Sequence, residues 1–114
     1  GEIFNDELYE GTLSVVVMKF DTTTIKVCES TINNMQESFQ VGENISTKLS
    51  NTNLKSIFIL SDGMNVNGSQ LTKGINNKIK NNVVITGGLA GDDANFNKTW
   101  VMQDNKPTQN VVVA

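Results

Sequence analysis

A mixed α/β fold, α+β-like in character, is predicted for this chain: a largely antiparallel mixed sheet with two helices packed on it, forming a piece of a larger layered domain. Three observations lead there. The apolar residues fall in short blocks, at 13–20, 57–60, 83–86 and 111–114, rather than in one long run. Some of these blocks are β-branched or alternate at period two, and two other stretches repeat apolar residues at three- and four-residue steps. At 114 residues and 38% hydrophobic content the chain can hold one core, so a single domain or fragment over 1–114 is expected.

Gly1-Glu2-Ile3 brings no Met, leading strand or cap, as expected of a segment that starts inside a larger protein. Gly11 then opens a β-branched run over 12–20, Asp21-Thr22-Thr23 reads as a turn, and Ile25, Val27 and Cys28 follow at period two, which predicts a β-hairpin. Ser38 is the expected N-cap of a first helix bearing Phe39, Gly42, Ile45 and Leu49 along one face, with Asn51 and Asn53 placed to end it. An interior Gly costs about 1 kcal/mol against Ala, so Gly42 implies a close backbone approach to a neighbour.

Residues 56–60 make a short apolar strand. Leu71, Ile75 and Ile79 mark the second helix, which Asn81-Asn82 should end. Residues 83–85 form the next buried strand and lead into Thr86-Gly87-Gly88-Leu89-Ala90-Gly91-Asp92-Asp93. Residues 99–102, a turn at 104–107 and residues 110–114 predict a closing hairpin.

Composition excludes several classes of function. Nine Lys+Arg against twelve Asp+Glu give a net charge of -3 without any Lys-rich run, which argues against a nucleic-acid partner. No stretch approaches the roughly 20 apolar residues that span a bilayer, so no membrane partner is expected. Cys28 is the only cysteine, which rules out an intrachain disulfide and fits a reducing, cytoplasmic compartment.

Two loops leave strand ends, at 61–68 and 86–93, where ligands of open α/β sheets tend to bind. Gly63 and Gly68 reproduce the glycine frame of a phosphate-binding loop, but Ser69 and Gln70 stand where its Lys and Ser/Thr belong. Asn65, Asn67 and Gly68 imitate part of a calcium loop, yet Gly63 and Gly74 occupy positions that need oxygen ligands. A turn followed by an Asn67 or Ser69 helix cap accounts for the same residues.

The second loop departs in spacing from a dinucleotide fingerprint. Its glycines point to positive φ or to something that approaches the backbone closely. Asp92 and Asp93 are placed to accept hydrogen bonds from an amine, hydroxyl or metal, or else Asp92 simply forms the turn.

Catalytic signatures are missing: the chain has no His, a single Cys with no base, and no carboxylate pair at a telling spacing. Neither a metal nor a cofactor is expected from these residues.

The run Ile57-Phe58-Ile59-Leu60-Ser61-Asp62-Gly63, then Asn65-Val66-Asn67-Gly68, Gly74-Ile75, and Thr86-Gly87-Gly88-Leu89-Ala90-Gly91-Asp92 with Phe96 and Thr99, resembles the N-terminal part of FIST domains. Ser38, Phe39, Gly42 and Gly1-Glu2-Ile3 add to the likeness, which covers nearly the whole chain. The resemblance implies a sensory module of a bacterial signalling protein. Such modules accompany output domains such as cyclases, kinases or chemoreceptors, and are proposed to bind small ligands such as amino acids. It further implies a domain continuing beyond Ala114. Some members bind haem through a histidine and sense nitric oxide; here a haem ligand would have to come from outside these residues.

The expectation is therefore binding without turnover, with Asp62, Asn65, Asn67, Gly87, Gly88, Gly91 and Asp92 as candidate ligand-binding residues. The expected partners are a small molecule, an output domain and, in one reading, a second copy covering an exposed sheet edge. The rival readings are an enzyme whose nucleophile is Ser61, Thr86 or an upstream Cys, and an interaction module with no ligand.

Overall fold

The computed structural model describes residues 2–79 and 82–114. The strands are β1 (Glu2–Phe4), β2 (Glu7–Tyr9), β3 (Glu29–Thr31), β4 (Ser56–Ser61), β5 (Val84–Leu89), β6 (Val101–Gln103), β7 (Lys106–Thr108) and β8 (Val111–Val113). The helices are α1 (Ser38–Leu49) and α2 (Gly68–Lys78). The central four-stranded sheet runs β3-β8-β4-β5: β8 pairs antiparallel with both β3 and β4, whereas β4 and β5 are parallel. A parallel pair needs a crossover, and α2 supplies it. The predicted mixed α/β class is what the chain adopts.

Period two governs β4. Ile57, Ile59 and Ser61 are buried, while Phe58 and Leu60 face outward at 60% and 46% exposure. The inward isoleucines join Val41, Ile45 and Leu49 of α1, Leu71 and Ile75 of α2, and Val112 of β8 in one core, so both helices lie over one face of the sheet. Val84 of β5 is 60% exposed, so the strand expected to be buried is a sheet edge instead.

The helices touch through their glycines. A Cβ at Gly42 would overlap the Leu71 carbonyl oxygen, and one at Gly74 would overlap the Phe39 carbonyl oxygen. Gly42 thus marks the close approach its cost implied. The fully buried Ser46 hydroxyl lies 2.9 Å from the Ile75 carbonyl and 3.0 Å from that of Gly42, adding a polar tie across the same seam.

Several local expectations change. The hairpin over 12–28 does not form: only Cys28 joins a ladder, exchanging two backbone hydrogen bonds with Ala114. Its run is apolar on both faces, and an isolated two-stranded hairpin with nothing to cover it is marginal at best. Pairing falls instead on β1 and β2, joined through Asn5 at φ 58°.

The closing hairpin is β6–β7, turned by Asp104 and Asn105 at φ 47° and 63° as a primed turn requires. Residues 111–113 leave it and enter the centre of the main sheet. Ser38 is the first residue of α1 rather than its cap, because a 3-10 turn at Met35–Glu37, capped by Asn34, precedes it. The helix end assigned to Asn81-Asn82 lies partly outside the described residues, as does Gly1; α2 closes at Ile79.

Candidate functional site

Parallel strands β4 and β5 end side by side, Ser61 opposite Leu89, and the first turn of α2 faces their ends. Between them lies a cleft of about 200 Å³. Ile59, Ser61, Ile85 and Gly87 form its floor, Gly68, Leu71 and Thr72 its helical wall, and Leu89 its lip, with Thr86 and Gly88 alongside. Gly87 is there by necessity: at φ 142°, with the Ile59 peptide against its α-carbon, it has no room for a side chain. Gly87 and Gly88 are strand residues, so β5 runs further into the glycine-rich segment than expected. A shallow surface groove lined by Phe39, Ser69, Lys73, Asn76 and Asn77 continues on the other side of Gly68 and Thr72.

The loop after β4 is held by Asp62, which is 2% exposed. Its Oδ1 accepts from the backbone N–H groups of Met64 (2.7 Å) and Asn65 (2.9 Å), and its Oδ2 from that of Asn110 (3.1 Å). Burial pushes the carboxyl pKa up, but the N–H groups of Asn65, Asn110 and Met64 with the Thr99 hydroxyl outweigh it and hold the pKa below its ordinary value.

Thr99, itself buried, also accepts from the Gly63 N–H at 2.9 Å. A Cβ at Gly63 would overlap the Ala90 carbonyl oxygen, and the Ala90 N–H donates to the Ser61 carbonyl at 2.8 Å. The two strand-end loops therefore lie against each other, as the order of elements suggested.

Asn65 donates to the Asn110 side chain at 2.8 Å. Asn67 caps α2 by accepting from Gln70 N–H at 3.1 Å, and its own N–H donates to Ser38 Oγ at 2.9 Å, tying the start of α1 to this loop. Asp92 accepts from the backbone of Lys98 (2.8 Å) and Asn97 (2.9 Å), which in that order lower its pKa. Gly91 beside it has open space where a Cβ would point.

Of the seven candidate residues, only Gly87 and Gly88 line the cleft. Asp62, Asn65 and Asn67 build the loop beside it, and Gly91 and Asp92 build the next one. The cleft also uses Gly68, Leu71, Thr72 and Leu89, which sequence reasoning did not assign to a ligand. The available signals were Gly68 at the first position of a helix and Ser61 at the inward phase of its strand.

Among the described residues no group of acidic, Cys or His side chains is placed to hold a metal ion, and no helix is long and apolar enough to cross a membrane. Ser61 Oγ donates to the Asp62 carbonyl at 3.1 Å.

No curated protein and no solved structure is significantly similar to the chain. The family model described as the FIST N domain matches residues 1–114 of the chain. With that match across both strand-end loops, the chain belongs to the FIST N family, a family of sensory domains in signal transduction.

Proposed function

We propose that this domain senses a small molecule by binding it, without turnover, in the cleft between the ends of β4 and β5 and the start of α2. The observation that carries this reading is the cleft's position, beyond the carboxyl ends of two parallel strands, where loops converge in open α/β sheets. Gly87 and Gly88 contact the ligand. Asp62, Asn65 and Asn67 hold the neighbouring loop in shape, and Gly91 and Asp92 belong to the loop that follows β5. Amino acids and similar small molecules are the first candidates, and an output domain elsewhere in the same bacterial protein receives the signal. The lone Cys28, half-buried and with no second cysteine, suits the reducing cytoplasm.

A thermal-shift screen of the full chain against amino acids, small acids and small uncharged alcohols tests this. A ligand at a hundredfold excess over its Kd adds about 2.7 kcal/mol, a readily measured upward shift in Tm. A screen in which no compound raises Tm contradicts the reading.

An interaction module is favoured by a different observation. Leu13, Val15, Val16 and Val17 are 70–89% exposed, and Phe58, Leu60 and Val84 form an uncovered apolar sheet face. Concentration-dependent self-association in sedimentation velocity supports that role, and a monomer at all concentrations argues against a homodimer.

A further inference from the structure

We infer that the cleft takes a small uncharged molecule, an apolar body of about one ring carrying a hydrogen-bond donor such as a hydroxyl, in preference to a zwitterion or an acid. This rests on the ligand-sensing reading above and moves its candidates from amino acids to small uncharged molecules. The space of about 200 Å³ exceeds the roughly 150 Å³ that accommodates benzene and falls short of the roughly 300–1,000 Å³ that drug-sized ligands occupy. Its walls are aliphatic, with Leu71 and Leu89 facing the floor residues Ile59 and Ile85.

Three hydroxyl residues line it: Thr86, paired with the outward-facing Phe58, belongs to the opposite face of the sheet, and the two on the helix side have already placed their protons. Ser61 Oγ donates to the Asp62 carbonyl at 3.1 Å, and Thr72 Oγ1 donates to the Gly68 carbonyl at 2.8 Å. Each oxygen retains only accepting capacity, so the group that pairs with it must be a donor. A carboxylate brings acceptors alone.

Charge is uncompensated as well. No ionisable side chain among the described residues lines the cleft. The Asp62 carboxylate, next in sequence to Ser61, is turned to the N–H groups of Met64, Asn65 and Asn110, and Lys73 lines the surface groove on the other side of Thr72. An ammonium entering the cleft gives up hydration without meeting an opposite charge, and a carboxylate meets only the partial positive charge at the start of α2 beside Gly68.

The test is an amide chemical-shift titration of the full chain by NMR with four probes: benzyl alcohol, benzoate, benzylammonium and alanine. Benzyl alcohol is expected to shift the amides of Ser61, Gly68, Leu71 and Gly87 saturably, with the three charged probes at least about tenfold weaker at the same amides. Gly68→Ala supplies the control. Its Cβ would stand 3.2 Å from Leu89 Cδ1, the end of a half-exposed side chain that can yield, so the fold persists while a methyl group is added between the helical wall and the lip of the cleft. That variant is expected to bind benzyl alcohol at least about threefold more weakly.

Benzoate binding as tightly as benzyl alcohol overturns the inference. Alanine shifting these amides where benzyl alcohol does not also overturns it, while leaving the ligand-sensing reading intact. If no probe shifts them although thermal-shift hits bind elsewhere, the inference falls and the cleft loses its role.

Discussion

The Gly87 α-carbon sits against the Ile59 peptide so closely that a Cβ would overlap the Ile59 carbonyl oxygen, nitrogen and carbon, all of them backbone. Neither strand can yield without breaking the β4–β5 ladder that places the cleft. Gly87 also holds φ 142°, which L side chains rarely adopt. Strain and overpacking each cost about 1–3 kcal/mol, so Gly87→Ala is expected to destabilise the chain by about 3 kcal/mol or more in urea unfolding.

Gly74 makes the same argument at the helix seam. Ala is a better helix former than Gly by about 1 kcal/mol, which alone would make Gly74→Ala stabilising. The overlap with the Phe39 carbonyl reverses the sign. A net loss of about 2 kcal/mol is expected by chemical denaturation.

Asp62 predicts an acid limb. Its pKa is lowered in the folded state, so its contribution is fully present above the ordinary aspartate pKa of about 3.9 and is lost as pH falls through the folded value. Asp62→Ala leaves three backbone N–H groups without their acceptor and is expected to cost about 3 kcal/mol at pH 7. The difference from wild type should shrink as pH is lowered from 5 to 2, read by urea midpoints at each pH.

Asp92 holds an exposed loop rather than the core. Asp92→Ala is expected to speed hydrogen exchange at the amides of Asn97 and Lys98, which it now accepts from, with little change in Tm. Unchanged exchange at these two amides contradicts the role given to its carboxylate.

Much of this architecture was legible in the residues. The spacing of Ile45, Leu49, Leu71 and Ile75 marked both helices, and the cost of an interior Gly42 announced the seam where α1 meets α2. The 12–28 hairpin misled because period and β-branching report what a segment can do, while pairing depends on what covers it. The glycine-rich segment read as a loop because glycine is a loop residue by propensity. Gly87 is instead a strand residue imposed by a neighbouring peptide, a tertiary cause with no local trace. Asp62 looked like a ligand contact for a similar reason: its three N–H donors include Asn110, far along the chain, so its structural occupation could not be seen nearby.

The claim that the cleft is the sensing site is tested most directly by amide hydrogen exchange of the full chain, with and without the most stabilising compound from the thermal-shift screen. The account predicts added protection at Ser61, Gly68, Leu71, Thr72, Gly87 and Gly88. Protection at residues 13–20, or at Phe58, Leu60 and Val84, with these six amides unchanged, would contradict it.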